Sequence, residues 1–219
     1  MSDVEKTSSS TAADGEAATP VRKRPKPGER RVQILQALAT MLEQPGAERI
    51  TTAALAAKLE VSEAALYRHF ASKAQMFEGL IEFIEQTVFS LINQIAEREA
   101  GASDAEAGVR HAGKVVTMLV QFAEKNPGMT RVMVGDALVF ENERLQQRMN
   151  QFFDKIESTL KQCLREGAQV AGSATPSVDV QVAASVLTAF VVGRLQRFAR
   201  SGFRRLPSEH LEASLAQML

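Results

Sequence analysis

Thr51-Thr52-Ala53-Ala54-Leu55-Ala56-Ala57-Lys58-Leu59-Glu60-Val61-Ser62-Glu63-Ala64-Ala65-Leu66-Tyr67-Arg68-His69-Phe70-Ala71-Ser72-Lys73 is the stretch that decides how this chain folds. Thr51 and Thr52 are N-cap candidates for a short helix to Leu59, because a side-chain oxygen there accepts from the free N–H groups of a first turn. Leu55 and Leu59 share one face of it. Only Glu60 and Val61 intervene before Ser62, which caps a second short helix expected to run through His69. Two short helices so closely joined have helix-turn-helix spacing. At about 100° per residue, Leu66 and Phe70 fall on the inward face of the second helix, and Ala64, Tyr67 and Arg68 on the outward one. That outward face is free to enter a major groove. Tyr67, the only tyrosine in a chain without tryptophan, carries a hydroxyl able to donate to a phosphate.

On either side the pattern is helical. Val32, Ile34, Leu35, Leu38, Ala39, Met41 and Leu42 keep a helical period from Glu29 to Glu43, ended by Pro45-Gly46. Ser72 caps a long helix with the stripe Phe77, Leu80, Ile81, Ile84, Val88, Leu91, Ile92 and Ile95. A further helix from about Glu106 stops at Asn126-Pro127-Gly128, and a short apolar one is expected from Thr130 to Phe140. Leu145, Met149, Phe152, Ile156, Leu160, Cys163 and Leu164 define a long amphipathic helix. Gln169 to Ser177 reads as a Gly/Ala/Ser/Pro loop, Val178 to Ser201 as a helix apolar on most of its circumference, and a short helix follows Ser208. The fold class is therefore all-α: residues 29–73 a DNA-binding module, 74–219 a helical dimerisation body, and 1–28 a disordered arm ending in the basic run Arg22-Lys23-Arg24-Pro25-Lys26.

Charge supports this division. The chain is formally neutral, but residues 22–73 hold ten Lys or Arg against five Glu, a local net of +5, while residues 1–21 carry −3 and the remainder −2. A concentrated positive charge is the electrostatic footprint of a polyanion binder. Enzyme classes find little support. His69, His111 and His210 stand far apart without carboxylates at ligand spacing, so neither a zinc site nor a triad can be assembled. Gly108 to Lys114 has the glycine and lysine spacing of a phosphate-binding loop, yet Val115 replaces the magnesium-holding Ser or Thr. Cys163 alone offers no disulfide, and a core role in a reducing cytosol is expected. The first twenty residues read as neither signal peptide nor anchor, and no segment is expected to span a bilayer. No cofactor or metal is expected.

Thr51-Thr52-Ala53-Ala54-Leu55-Ala56, Val61-Ser62, Leu66-Tyr67-Arg68-His69-Phe70 and Ser72-Lys73 together resemble the signature of the TetR family. That resemblance assigns backbone contacts with double-stranded DNA to Thr51, Thr52, Tyr67, His69 and Lys73, and base reading to Ser62, Ala64, Ala65 and Arg68. A lysine opening a helix, as Lys73 does, adds a full charge to free N–H groups and the dipole. The turn usually holds Gly where this chain has Glu60, so a left-handed conformation there costs roughly 1 to 2 kcal/mol. Val61 to Phe70, Met76-Phe77, Leu80 to Glu85, Glu124 to Gly128, Ala137-Leu138, Phe140-Glu141 and Arg144-Leu145-Gln146 further resemble the nucleoid occlusion factors within that family. This implies a cytoplasmic, nucleoid-associated homodimer on palindromic sites that antagonises the division GTPase FtsZ through Phe83, Lys125 and Asn126. The rival reading is a ligand-responsive repressor, which the lack of Tyr and Trp in the body disfavours. Val182, Val186, Ala189, Phe190, Gly193 and Arg197, recurring at three or four residues, are the expected dimer contact.

Overall fold

The computed structural model describes residues 28–44, 50–101, 106–171 and 176–219. The expected arm and its basic run lie outside the described residues, as does the Pro45-Gly46 helix stop. Helices are α1 (Glu29–Leu42), α2 (Thr52–Lys58), α3 (Glu63–Tyr67), α4 (Lys73–Glu99), α5 (Ala107–Lys125), α6 (Pro127–Met133), α7 (Glu143–Ala171), α8 (Pro176–Arg200) and α9 (Leu211–Met218), with no strand among the described residues.

The hydroxyl caps form as the sequence implies. Thr51 accepts from the Ala54 N–H, Ser62 from Ala65 and Ser72 from Gln75, each satisfying a donor that the first turn leaves free. The α4 stripe from Phe77 to Val88 is fully buried, and Leu91 and Ile95 towards its end are half-buried. One continuous core joins α1 to α4 to the body: Ile34, Leu38 and Leu42 of α1 bury with Leu55, Leu66, Phe70, Phe77 and Met129.

Several boundaries depart from the sequence reading. α3 ends at Tyr67 rather than His69; His69 and Phe70 still donate to the Leu66 carbonyl, but as a closing turn. The expected helix from Thr130 to Phe140 is two pieces. α6 starts earlier, with Pro127 in its first turn, where a missing N–H costs nothing. It ends at Met133, and Gly135 takes φ +84° before a single 3-10 turn, Asp136–Leu138. The expected loop from Gln169 to Ser177 is helical at both ends, residues 169–171 closing α7 and 176–177 opening α8, because a long helix propagates at little cost per residue and Pro176 suits a helix start. Residues 172–175 lie outside the described residues. The segment Gly108 to Lys114 is helical within α5, so it is not a phosphate-binding loop.

α8 also corrects an expectation. Ser177–Arg200 is long and apolar enough by length and composition to cross a membrane, since its many Ala, Val and Phe residues raise the hydropathy without forming an unbroken run. In the fold Ala184, Leu187, Val191, Leu195 and Phe198 bury one side of it in the helical body.

α7 and α8 run antiparallel: Glu157 at the middle of α7 and Lys161 one turn later meet Gln181 early in α8, close to the short connection between the two helices. The start of α7 lies beside α4, through Lys73 to Glu141 at 2.5 Å just before α7 and Arg148 to Glu85 at 2.8 Å. The C-terminal end of α8 therefore lies at the same end of the body as the helix-turn-helix.

Candidate DNA-binding surface and partner groove

The turn between α2 and α3 is tight because Glu60 takes φ +53°, the left-handed conformation foreseen for the position where glycine is usual. Val61 N–H then returns to the Ala56 carbonyl at 3.0 Å, which sets α3 across α2. Leu66 and Phe70 are buried at 1% exposure and anchor α3, which leaves Ser62, Ala64, Tyr67 and Arg68 exposed on its other side. Ala65 and His69 are half-buried at the edges of that surface.

Side chains across the turn are already organised. Thr52 donates to a Glu63 carboxylate oxygen at 2.6 Å, and the Tyr67 hydroxyl donates to Thr52 at 3.4 Å. Arg31 of α1 lies 4.1 Å over the Phe70 ring and donates to the His69 carbonyl, bracing the end of α3. Three residues the sequence reading passed over thus hold this surface: Arg31, Glu63 and Glu141. Glu63 is visible in retrospect as an acid in the first turn of α3. Arg31 and Glu141 are long-range partners with no local signal.

Lys73 opens α4 beside this surface, but its ammonium is paired with Glu141 and lies 5.7 Å from the Phe77 ring centroid. Phosphate binding by Lys73 requires exchanging one anion for another.

The three residues expected to meet a partner lie around the junction of α4, α5 and α6. Phe83 is 40% exposed on α4 and lines a recess with Val32, Leu35, Gln36, Leu80 and Met129, so its ring faces α1 and α6. Lys125 is exposed at the last turn of α5. Asn126 joins α5 to α6 and donates its amide to the Phe122 carbonyl at 2.8 Å. Further along the same two helices runs a groove of about 390 Å³ with Leu91, Ile95 and Met118 as apolar lining and Gln94, Arg98, Lys114, Thr117 and Gln121 as polar residues. At its far end Lys114 donates to Glu99, which holds that carboxyl below the usual carboxylate range. Sequence reasoning missed most of this groove, because a half-buried strip between two helices leaves no distinct periodicity.

On α8 the residues of the expected dimer contact lie along the side turned away from the buried core. Val182 and Val186 are 57% and 47% exposed, Ala189 and Arg197 are exposed, and a Cβ at Gly193 would meet nothing within 4 Å. Phe190 is half-buried under the Arg194 guanidinium, 4.7 Å from its centroid.

Residues 34–80 match the bacterial regulatory proteins of the tetR family, and residues 107–219 match the tetracyclin repressor-like C-terminal domain of SlmA-like proteins. The "Nucleoid occlusion factor SlmA" of Idiomarina loihiensis is 50% identical over 84% of this chain and 90% of its own length. The same-named protein of Vibrio cholerae is 52% identical over 84% of this chain and 90% of its own length. Among solved structures, the transcriptional regulator FadR of Bacillus subtilis, in complex with stearoyl-CoA, superimposes with a TM-score of 0.67 at 16% identity, over 85% of this chain and 96% of that one. That likeness shows the fold. A tetR-type DNA-binding domain, an SlmA-like C-terminal domain and half-identical relatives spanning both place the chain in the SlmA family of TetR-type regulators.

Proposed function

We propose that this protein is a nucleoid occlusion factor: a cytoplasmic homodimer that binds palindromic chromosomal sites and, when bound, inhibits assembly of the FtsZ ring so that no septum closes over the nucleoid. The observation that carries the reading is the identity of about half, continuous over both the DNA-binding module and the body, with proteins bearing that name. Thr51, Thr52, Tyr67, His69 and Lys73 hold phosphates, while Ser62, Ala64, Ala65 and Arg68 face base edges, the alanines suiting thymine methyls. Two copies joined through the outward face of α8 set their α3 helices roughly 34 Å apart, one turn of DNA, which makes the site palindromic.

FtsZ meets the surface around Phe83, Lys125 and Asn126 and the adjoining α4–α5 groove. A half-exposed aromatic set in an apolar recess is the kind of anchor on which a modest interface concentrates its energy. The test is the double variant Phe83→Ala with Asn126→Ser, together with Lys125→Glu. The expected result is normal dimerisation and specific DNA affinity, with loss of co-sedimentation with FtsZ polymers. Because Phe83 also faces α1 and α6, the double variant alone could lose DNA binding through misfolding. Lys125 is exposed and carries no such risk, so a Lys125→Glu protein that still co-sediments normally counts against this surface.

A further inference from the structure

The last turns of α8 and the loop after it carry a second concentration of positive charge that the helix-turn-helix does not use. Arg194, Arg197, Arg200, Arg204 and Arg205 fall within twelve residues, with no acid before Glu209. Arg194 is structurally engaged, donating to the Glu209 carbonyl and at 2.8 Å to the Ser214 hydroxyl. Arg197, Arg200 and Arg205 are exposed. Arg194, Arg197 and Arg205 converge on a small depression bounded by Leu206, Pro207 and Glu209. Basic residues at a helix C-terminus complement the dipole, but one or two suffice, and Arg204 and Arg205 lie beyond the helix.

The backbone that presents them is constructed rather than loose. Gly202 and Phe203 both take left-handed φ, +63° and +64°, a strained conformation for a bulky residue. The N–H of Phe203 closes on the Phe198 carbonyl at 2.9 Å and that of Gly202 on Ala199 at 3.1 Å, the paired bonds of a Schellman end. The Phe203 ring is held edge-on against Phe198 at 5.1 Å and under Arg131 of α6 at 5.1 Å. Ser201 then accepts from the backbone N–H groups of both Arg204 and Arg205, fixing the direction in which those residues leave the helix. Ser208 donates to Glu124 near the end of α5, which ties down the far side of the loop.

This cluster lies at the DNA-proximal end of the body. It adjoins α6, which packs on α1, and shares that end with the start of α7, whose preceding residue Glu141 pairs with Lys73. We infer that the arginine cluster closing α8 is a second phosphate-binding surface, which holds the backbone of the bound duplex between the two half-sites. The inference rests on the DNA-binding reading above and extends it to the body. In a dimer built on α8 the two clusters come towards the twofold axis on the side of the recognition helices, where like charges repel until a polyanion lies between them. Charge complementarity and a place at the same end of the body as the helix-turn-helix favour DNA as the occupant over an anionic lipid surface.

The test is the triple variant Arg200→Gln, Arg204→Gln, Arg205→Gln, with a triple Lys variant beside it, in salt-titrated binding of full-length protein to a palindromic duplex and to random duplex. The Gln variant should remain a folded dimer and keep its preference for the palindrome. Its plot of log affinity against log salt should flatten by about five units for the dimer, two to three from each protomer, since each phosphate contact contributes a slope of roughly 0.9. The Lys variant should restore the slope. A wild-type slope in the Gln variant overturns the proposal. So does patch-dependent binding to phosphatidylglycerol vesicles with an unchanged DNA slope, which would make the occupant lipid. If Tyr67→Ala leaves DNA binding intact as well, the helix-turn-helix reading itself has failed, a result distinct from the failure of this one.

Discussion

Gly128 sits where α6 crosses α1, at the joint between the DNA-binding module and the body. A Cβ added there would stand 1.9 Å from the Ala39 carbonyl oxygen, 2.8 Å from its carbon and 3.3 Å from Glu43 Cγ. The first two are backbone atoms of a buried helix, which cannot turn aside as a side-chain tip can. Ordinary contact begins near 3.4 Å, so Gly128→Ala forces the two helices apart by about 1.5 Å, and even a gap of 0.5 to 1 Å forfeits a quarter to a half of each lost dispersion contact. Overpacking of this kind costs roughly 1 to 3 kcal/mol, and a clash with backbone belongs at the upper end. The intrinsic helix gain of Ala over Gly, at most about 1 kcal/mol in a helix interior, is smaller this near a helix start. The net is about 2 to 3 kcal/mol of destabilisation. At this chain length each kcal/mol moves Tm by about 2 to 4 °C, so circular-dichroism melts should show a fall of roughly 5 to 10 °C. Specific DNA affinity should fall with it, because α1 carries the Arg31 brace of α3. A Tm equal to or above wild type would refute the reasoning, since it would mean that α1 and α6 do not meet at backbone contact.

Other variants probe separate parts of the structure. Lys73→Ala should weaken binding to all duplexes and remove about one counterion per protomer, about two for the dimer, from the salt slope; Glu141→Gln, which frees the same lysine, should raise affinity several-fold in the same isotherms, and no change would show that the ion pair does not compete with phosphate. Thr51→Ala removes the cap of α2 and should cost about 1 kcal/mol in urea denaturation, where a loss too small to resolve would put the N-terminus of α2 elsewhere. Val186→Glu places a charge on the outward face of α8, and sedimentation should find a folded monomer without specific DNA binding; a stable dimer would move the interface off α8. Gly193→Ala, with open space around it, should leave the stability of the separated protomer unchanged or slightly raised. If that substitution weakens dimerisation, it marks close approach of two α8 helices at this point.

What the residues decide by themselves is what neighbours in sequence decide. The caps Thr51, Ser62 and Ser72, the apolar period of α4 and α7, and the outward face of α3 depend on interactions within a few residues, so they are legible in order along the chain and place the helix-turn-helix correctly. The left-handed Glu60 belongs to the same class, because a two-residue turn between helices leaves little choice of backbone. Local signals misled where a residue's purpose lay in a distant contact. Pro127 and Gly128 read as the end of a helix, whereas Pro127 starts the next one and Gly128 exists for Ala39, nearly ninety residues away. Lys73 reads as a free cation at a helix start, and only the fold brings Glu141 to it. Of the arginines after Phe190 the sequence singles out only Arg197, as part of a dimer contact; the antiparallel course of α7 and α8 carries the whole group to the same end as the recognition helix. Secondary structure and capping follow from short-range chemistry, whereas the pairing of charges, the close crossing of α1 and α6 and the placing of two basic segments at one end of the body arise only when segments far apart in sequence bury a common core.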